Sequence, residues 1–373
     1  MRISRIELAG FRNIREADIS LAPGTNVVCG ENAQGKTNLL EAVFMLAGGR
    51  SFRTRRESEL IAFDCDFARL DAEFFAAGRG QRLQIGLVRG QKKSIALNGV
   101  KVSAAGLQGV LTAVLFCPED LRIVSEGAEE RRRLLDTAIS QLRPGYAAAL
   151  SAMRRSHEQK MRLLRDGREN PSALAVLDEF TAGLLRASAS LIRYRAAFTE
   201  QLNAAASEIH RDFSGEREEL RLEYKTCSAV TDPKAAASAI YTELMEHAAR
   251  HREAEIASCQ CLTGAHRDDI EIYINGNSAR TFASQGQRRT AALSIKLAER
   301  ELILRDTGEP PILLLDDVLS ELDAARQEFV LRRITGGQTL ITCCEGGDIA
   351  ERTDGRVITV ENGVFSAPRP EGR

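Results

Sequence analysis

A glycine-rich segment near the start of the chain has the residue types and spacing of a phosphate-binding loop. The pattern G-x-x-x-x-G-K-[ST] is matched in full by Gly30-Glu31-Asn32-Ala33-Gln34-Gly35-Lys36-Thr37. An apolar strand precedes the segment and a stretch with helical periodicity follows it. Glycines let such a loop curl so that backbone N–H groups point at phosphate oxygens, and the positive end of the following helix adds to that field. The segment therefore predicts nucleoside triphosphate binding, with Lys36 at the β- and γ-phosphates and Thr37 on Mg²⁺.

A second candidate site lies late in the chain, where an apolar run ends in two acids. The run is Ile312-Leu313-Leu314-Leu315-Asp316-Asp317, and it is typical of a central parallel strand that is covered on both faces. We expect Asp316 to hold Mg²⁺, directly or through water, and Asp317 to face the attacking water. Alone the pattern also fits a solvated strand end, but its combination with the phosphate loop favours a nucleotide-hydrolysing site.

A third segment, between these two sites, opens a helix with a serine and a glycine. It reads Phe282-Ala283-Ser284-Gln285-Gly286-Gln287-Arg288-Arg289. Ser284 fits a simple helix cap, and Gly286 would permit close backbone approach to an anion. We expect this segment and the phosphate loop to lie on different surfaces of one head. A symmetric dimer, in which each Ser284 faces the γ-phosphate held by the partner, would bring the two together.

The elements that must position these residues can be read from periodicity and turn residues. Residues 1–30 predict strands, a helix follows at 38–46, and 67–102 is rich in strand patterns with a hairpin turn at Asn98-Gly99. Further strands are predicted at 111–117, 220–224, 270–274 and 311–316, and a helix at about 286–305. Residues 128–258 are dominated by Ala, Leu, Arg and Glu with helical spacing.

The phosphate loop and the paired acids lie near opposite ends of the 373-residue chain. We therefore predict an α/β fold: one P-loop head made from both chain ends, with an inserted, mainly α-helical arm. The predicted domains are 1–127, the first half of the head; 128–258, the arm; and 259–373, the second half of the head.

The composition is that of an ordinary globular protein. The chain has 51 basic and 52 acidic residues, 43% hydrophobic residues and 28% charged residues. A net charge of −1 argues against a uniformly basic nucleic-acid binder, although a local basic patch stays possible. No apolar run is long enough to span a bilayer and the N-terminus lacks a signal-peptide pattern, so we expect a cytoplasmic protein without a membrane partner. The eight cysteines lack zinc-site spacing, which predicts reduced thiols.

Taken together, these residues resemble the ABC-type ATPase heads of the SMC/Rad50 group and, more narrowly, the RecF family of bacterial recombination mediators. The resemblance covers nearly the whole chain. The pieces that carry it are FRN at 11–13, GENAQGKTN at 30–38, FCPEDLRIVSEGAEERRRLLD at 116–136, LTGAHRDDI at 262–270, FASQGQRR at 282–289 and LLLDDVLSELD at 313–323.

The resemblance implies a role for each matching position. Residues 30–38, including Asn38, are similar to Walker A; residues 284–287 to the ABC signature; residues 316 and 317 to Walker B; and residues 320–323 to the D-loop. ATP contacts are thereby implied for residues 30–38 and for Ser284, Gly286 and Gln287. Most ABC heads carry Glu where Asp317 stands, so the shorter acid implies slow turnover.

The resemblance also implies a function. Members of the family bind DNA when ATP joins two heads, and slow, DNA-stimulated hydrolysis releases it; the cofactors are ATP and Mg²⁺. The implied partners are single- and double-stranded DNA or their junction, a second copy of the chain, RecR and possibly RecO. The implied processes are recombinase loading, fork maintenance and the SOS response. Thr342 is a candidate for the place of the switch histidine of transporters, Glu119 for a sensor-loop residue, and residues 266–269 for either a surface turn or a network near the nucleotide.

Two basic clusters are candidates for DNA contact. One lies just after the predicted helix at 38–46. The other lies between 131 and 168, where we find ten basic and three acidic residues. Such an excess could neutralise the phosphates of the DNA backbone without recognising a particular base sequence. A solvated helix face is the alternative. The candidate residues are Arg50, Arg53, Arg55, Arg56, Arg131, Arg132, Arg154 and Arg155.

Two other functions share some of these features. A transport-type ABC subunit would share the phosphate loop and the signature, but the long helical insertion and the lack of a switch histidine count against it. A nuclease of the overcoming-lysogenization-defect type would need a cleavage domain, and only about fifty residues follow Asp323.

Overall fold

The computed structural model describes residues 1–54, 56–226, 230–344 and 346–366. The chain divides into two compact units. One comprises Met1–Asp120 together with Glu299–Arg373, and the other comprises Leu121–Ala298. The first unit is thus built from both chain ends, and the predicted α/β head with a helix-rich insertion is confirmed.

The first unit contains a six-stranded antiparallel sheet in the order β2-β1-β4-β5-β6-β7. Its strands are β1 (Arg2–Phe11), β2 (Ile14–Ser20), β4 (Phe67–Ala76), β5 (Arg79–Val88), β6 (Ser94–Leu97) and β7 (Val100–Lys101). Alternate residues of these strands are buried, which is the pattern of a sheet with one face on the core. The predicted hairpin turn is present between β6 and β7. Asn98 and Gly99 have φ angles of 51° and 80°, the positive values that a tight turn of this kind requires.

The second sheet of this unit positions the candidate site. Its order is β15-β14-β3-β13-β12-β8, and every pair is parallel except β14 with β15. The strands are β3 (Thr25–Cys29), β8 (Ala113–Phe116), β12 (Ile312–Asp316), β13 (Thr339–Cys343), β14 (Arg356–Glu361) and β15 (Val364–Ser366). The α-helices that lie entirely within the described part of this unit are α1 (Lys36–Gly48), α9 (Ala324–Arg333) and α10 (Gly347–Thr353).

Both sheets and α1 contribute to one hydrophobic core. Ile6 from the antiparallel sheet, Leu40 from α1 and Leu314 from the parallel sheet are all fully buried in it. The strands β12 and β13 are buried along their whole length, which explains why they read as continuous apolar runs rather than as alternating ones. This core fixes α1 against the edge of the sheet at which the phosphate loop lies.

The second unit is mainly helical and has one small sheet. The helices are α2 (Arg122–Ser125), α3 (Ala128–Leu142), α4 (Pro144–Asp166), α5 (Leu177–Ser214), α6 (Ala237–Ser258) and α7 (Ala279–Phe282). The sheet order is β11-β10-β9, with β9 at Leu220–Lys225, β10 at Asp269–Ile274 and β11 at Asn277–Ser278. The last long helix, α8, runs from Gln285 to Thr307.

The compact units differ from the predicted domain boundaries at 127/128 and 258/259. β9 precedes the second boundary and β10 follows it, and the two strands pair over their full length, from Asp269 with Lys225 to Ile274 with Leu220. This pairing holds residues 269–274 in the same unit as the helices. Residues 259–298, including the segment around Ser284, therefore belong to the second unit.

Candidate nucleotide-binding site

The phosphate loop follows β3 and has a shape that only its glycines allow. A Cβ on Gly30 would meet the carbonyl oxygen of Val360 at 2.3 Å, so the loop leaves the strand too close to β14 for any other residue. Gly35 has a φ of 118°, in the left-handed region. No side chain caps the helix α1 that starts at Lys36. The backbone N–H groups of its first turn are therefore available to an anion.

Lys36 lies back over the loop. Its ammonium donates to the carbonyl oxygens of Gly30 at 2.6 Å and of Glu31 at 3.1 Å. Only 4% of the residue is exposed, so its charge is confined to the mouth of the loop. A phosphate bound by the loop amides would meet this ammonium directly, as the sequence predicts.

Thr37, Asp316 and Thr342 join the loop to the strand that carries the paired acids. β13 lies between β3 and β12 in the sheet, so the three residues meet at one edge. The hydroxyl of Thr37 donates to Oδ1 of Asp316 at 2.9 Å, and the hydroxyl of Thr342 donates to the same oxygen at 2.8 Å. The backbone N–H of Asp317 in turn donates to the Thr342 hydroxyl at 2.8 Å. Thr342 thus touches both acids, at the place where a switch residue was predicted.

The carboxyl of Asp316 is largely buried, and burial raises its pKa. Hydrogen bonds from Thr342 and Thr37 act in the opposite direction, and the charges of Asp317 and Glu119 add to the rise. A cation at this carboxylate would offset the cost of burying its charge. Oxygen ligands from a hydroxyl and a carboxylate suit Mg²⁺, which prefers such hard donors. Thr37 and Asp316 therefore fit the predicted metal site.

Asp317, the second of the paired acids, has an unusual backbone conformation. Its φ is 52°, in the left-handed region, where Asp and Asn are tolerated better than most residues. The hydroxyl of Ser320 donates to its carbonyl oxygen at 2.6 Å. This bond and the one from its N–H to Thr342 hold the backbone in place, so the sharp bend after β12 sets the direction in which the carboxylate projects.

Four hydrogen bonds that brace the loop were not predicted. Gln34 receives the backbone N–H of Asn362 on its side chain at 2.5 Å and that of Gly363 on its carbonyl at 2.9 Å. Asn13 donates to the carbonyl of Ala33 at 3.3 Å and accepts from Asn38 at 2.7 Å. The turn between β14 and β15 and the turn after β1 therefore clamp the loop from two sides.

Arg12 anchors the helix behind the loop. It donates two hydrogen bonds to the fully buried Glu41, at 2.8 and 2.9 Å, and one to the carbonyl of Glu59 at 2.9 Å. A bidentate pair of this kind is among the stronger side-chain contacts. In the sequence the FRN segment at 11–13 carries only a family resemblance, and nothing there indicates that its arginine pairs with an acid 29 residues away.

Ser284 immediately precedes α8 and forms half of a reciprocal cap with Gln287. Its N–H donates to the side chain of Gln287 at 2.9 Å, and its hydroxyl accepts the N–H of Gln287 at 3.2 Å. Gln287 also donates to Glu218 at 2.9 Å. Ser284 and Gln285 are exposed, so the start of α8 faces solvent with its serine fixed in position. The simple helix cap is present, and the exposed serine leaves the predicted contact with a second copy open to test.

The basic candidates have different surroundings. Arg154 and Arg155 are exposed on α4, where they contact Asp136 at 3.3 Å and Ser151 at 2.9 Å. Arg50 and Arg56 are exposed near the end of α1. Arg53 donates to Asn38 at 2.8 Å, beside the phosphate loop. Arg55 lies outside the described residues.

Two arginines of α3 are held inside the second unit. Arg131, which is 4% exposed, donates to both carboxylate oxygens of Asp269 and to the carbonyls of Ile123 and Glu126. Arg132 is half-buried and donates to the carbonyl of Asp268 at 2.6 Å. Because Arg131 is buried and its donors are already used, it is not available to a DNA phosphate, contrary to the prediction from its place in a basic run.

The acids of the segment 266–269 serve a buried network. Asp268 is fully buried and accepts a hydrogen bond from Tyr224 at 2.5 Å. Arg195, 1% exposed, lies 3.9 Å from Asp268 and donates to Asp136 at 2.8 Å and to Tyr146 at 2.9 Å. Within the second unit this segment therefore ties α3, α4 and α5 to β9 and β10.

The chain resembles known proteins over almost its whole length. A family model described as the RecF/RecN/SMC N-terminal domain matches residues 2–363. The DNA replication and repair protein RecF of Bacillus subtilis is 38% identical over 98% of this chain and 100% of its own length. Its counterpart in Acetivibrio thermocellus is 36% identical over 97% of this chain and 99% of its own length.

Solved structures agree with this assignment. A structure described as the recombination mediator protein RecF with ATP superposes with a TM-score of 0.90, at 32% identity, and covers 98% of this chain and 97% of that one. The Smc head domain of Pyrococcus furiosus shares the fold at a TM-score of 0.55 and 17% identity, covering 98% of this chain and 95% of that one. Among the described residues, no helix is both long and apolar enough to cross a membrane. The chain belongs to the RecF family, within the larger group of RecF, RecN and SMC proteins.

Proposed function

We propose that this chain is an ATP-dependent DNA-binding protein of recombinational repair and replication-fork maintenance, and a slow ATPase. The observation that carries the proposal is the hydrogen-bonded series from Thr37 through Asp316 and Thr342 to Asp317, beside a phosphate loop with free helix amides. Its relatives are named DNA replication and repair protein RecF, which supports a role in DNA repair. A solved relative is described as RecF with ATP, which supports ATP as the ligand.

Binding of the triphosphate would use groups that are already in place. The loop amides and the first turn of α1 would take the phosphate oxygens, and the Lys36 ammonium would exchange the carbonyls of Gly30 and Glu31 for the β- and γ-phosphates. Thr37 and Asp316 would hold Mg²⁺, which neutralises phosphate charge when bound. The buried setting strengthens each of these contacts, because little water competes for them.

Hydrolysis would proceed by in-line attack of water on the γ-phosphorus. The new oxygen–phosphorus bond forms as the bond to the β-phosphate oxygen breaks, and Asp317 orients the water and polarises it. Asp317 is one methylene shorter than the glutamate of most ABC heads, so its carboxylate stands farther from the water and turnover is slow. Ser284 of a second copy would complete the pocket at the γ-phosphate.

Asp317→Asn should separate binding from hydrolysis. We expect ATP affinity to be kept and hydrolysis to fall roughly a hundredfold, because the amide cannot accept a proton from the water. Single-turnover hydrolysis and equilibrium binding of a fluorescent ATP analogue measure the two effects. The matched control is Asp354→Asn, an exposed aspartate with a φ of 48° far from the loop in sequence, which should leave both unchanged. Undiminished hydrolysis by Asp317→Asn would remove Asp317 from the mechanism.

We further propose that ATP joins two copies and that the dimer binds DNA without reading its sequence. Contacts from exposed arginines to backbone phosphates give binding of this kind, with strong salt dependence. Arg154 and Arg155 lie one after the other on the exposed side of α4. Single-stranded DNA, double-stranded DNA and their junction all present such phosphates, and hydrolysis would release them.

The double variant Arg154→Glu/Arg155→Glu tests DNA contact. We expect affinity for a labelled duplex with a single-stranded tail to fall at least tenfold, and the slope of log K against log salt to shrink by roughly two. Fluorescence anisotropy with ATP, a non-hydrolysable analogue and ADP measures this. Lys92→Glu/Lys101→Glu makes the same charge change at other exposed residues and is the control. Equal affinity with the ATP analogue and with ADP would contradict ATP-dependent binding.

RecR and RecO are the protein partners that we propose. The solved relatives are described as recombination mediators in the RecFOR pathway, which supports partners of this kind. With these partners we propose a role in recombinase loading and in the SOS response. Size-exclusion chromatography of the chain with each partner, with and without ATP and DNA, tests the assignment.

A further inference from the structure

Two histidines and a cysteine meet in the second unit, far in sequence from the phosphate loop. His157 lies on α4, and Cys261 and His266 lie in the segment that joins α6 to β10. Their ligand atoms are all within 4.8 Å of one another. Cys261 is buried, and both histidines are half-buried. The imidazole rings contact each other, with 4.4 Å between their centres.

The ring of His266 is oriented like that of a metal-binding histidine. Its Nε2 lies 3.2 Å from the carbonyl oxygen of Cys261. Because a carbonyl only accepts, Nε2 carries the proton in this contact. The Nδ1 atom is left as a buried acceptor without a hydrogen-bond partner. Histidine ligands in proteins commonly donate one ring N–H to a carbonyl and present the other nitrogen to the metal.

The surroundings keep both rings neutral. Burial, and then the neighbouring His157, lowers the pKa of His266 to about 3. Burial, and then the charge of Lys160, lowers the pKa of His157. Lys160 itself forms a buried ion pair with Glu255 at 2.6 Å, so its charge is balanced. A neutral imidazole is the form that binds a metal.

We propose that His157, Cys261 and His266 form a binding site for a zinc-class divalent cation. Two nitrogens and one sulfur are the ligand types that such ions prefer, in contrast to the oxygen ligands at the nucleotide site. The thiol would lose its proton to solvent on binding, leaving a thiolate and two neutral rings around the ion. Water would supply the fourth ligand.

The geometry requires only a small closure. Ligands at the usual zinc distances lie roughly 3.3–3.8 Å apart in a tetrahedral site, so the widest separation here would shrink by about 1 Å. Closure would tie α4 to the segment that leads into Asp268 and Asp269, the acids that hold Arg195 and Arg131. Bound metal would therefore stabilise this unit against unfolding.

Cobalt spectroscopy tests the site. The full chain, stripped of metal and saturated with Mg²⁺, is titrated with Co²⁺. We expect one equivalent to give a thiolate-to-cobalt charge-transfer band and the visible bands of a tetrahedral ion, and Zn²⁺ to displace it. Cys261→Ser should lose the charge-transfer band, and His157→Gln should weaken binding at least tenfold. Cys259→Ser, two residues before Cys261, should keep both the charge-transfer band and the wild-type affinity for Co²⁺.

Thermal unfolding supplies a second measurement. Zn²⁺ should raise the melting temperature of the wild type and of Cys259→Ser but not that of Cys261→Ser, and circular dichroism shows whether each variant is folded. A wild type without a charge-transfer band would overturn the proposal. A band of equal strength in Cys261→Ser would also overturn it, because the thiolate would then come from one of the other cysteines.

Discussion

Replacing Lys36 with alanine should reduce ATP hydrolysis at least a hundredfold. The variant loses the ammonium at the mouth of the phosphate loop, where Lys36 donates to Gly30 and Glu31. Removing a preorganised donor from a site where charge develops costs a factor of this size. The release of phosphate under saturating ATP, with and without DNA, measures the effect.

The control for this variant is Lys101→Ala, which removes an exposed lysine from β7. It should hydrolyse ATP at the wild-type rate. Lys36→Ala loses two hydrogen bonds to the loop, but its fold should persist, because Gln34 and Asn13 still brace the loop from two sides. Hydrolysis by Lys36→Ala at the wild-type rate would show that the phosphate loop is not the site of the reaction.

Ser284→Arg should abolish the dimer that ATP induces. Ser284 is exposed at the start of α8, and a long cationic side chain there would prevent a second copy from approaching the γ-phosphate. We expect light scattering with a non-hydrolysable ATP analogue to report a dimer for the wild type and a monomer for the variant. Binding of ATP to each single chain should be kept, because the phosphate loop is untouched.

Two further variants show why Ser284→Arg would lose the dimer. Ser284→Ala loses the cap on Gln287, which costs about 1 kcal/mol of stability, but it adds no bulk and should still dimerise. Ser238→Arg adds the same side chain at another exposed serine in the second unit and should dimerise normally. Monomeric Ser284→Ala would mean that assembly needs the serine hydroxyl itself, for its cap on Gln287 or for its contact with the γ-phosphate, and that blocked access alone does not explain the monomeric Ser284→Arg.

The nucleotide site was predictable because its signals are local. The residues 30–37 and the run that ends in Asp316 and Asp317 each carry their chemistry in consecutive positions. The strand between them was harder to place. Thr342 meets Asp316 only because β13 is inserted between β3 and β12, and a sequence shows the order of strands along the chain but not across a sheet.

Contacts between distant residues account for what the sequence could not show. In the sequence Arg131 is one more basic residue in a basic run. In the structure it is buried and paired with Asp269, whose position depends on the pairing of β9 with β10. The His157, Cys261 and His266 cluster has no zinc-like spacing, because its ligands come from a helix and from a segment about a hundred residues later. The turn at Asn362 that braces Gln34 was likewise hidden, since its role depends on where β14 pairs.

The central claim is that two copies share each ATP, one supplying Lys36 and the other Ser284. Mixing Lys36→Ala with Ser284→Ala tests it most directly, because Ser284→Ala should still dimerise and a mixed dimer has one pocket with both defects and one with neither. Each variant alone should hydrolyse ATP poorly, because every pocket of its own dimer carries a defect. We predict that the mixture regains about one quarter of the wild-type ATPase rate, since half of the dimers are mixed and each of these has one intact pocket. A mixture no more active than the sum of its parts would contradict the claim.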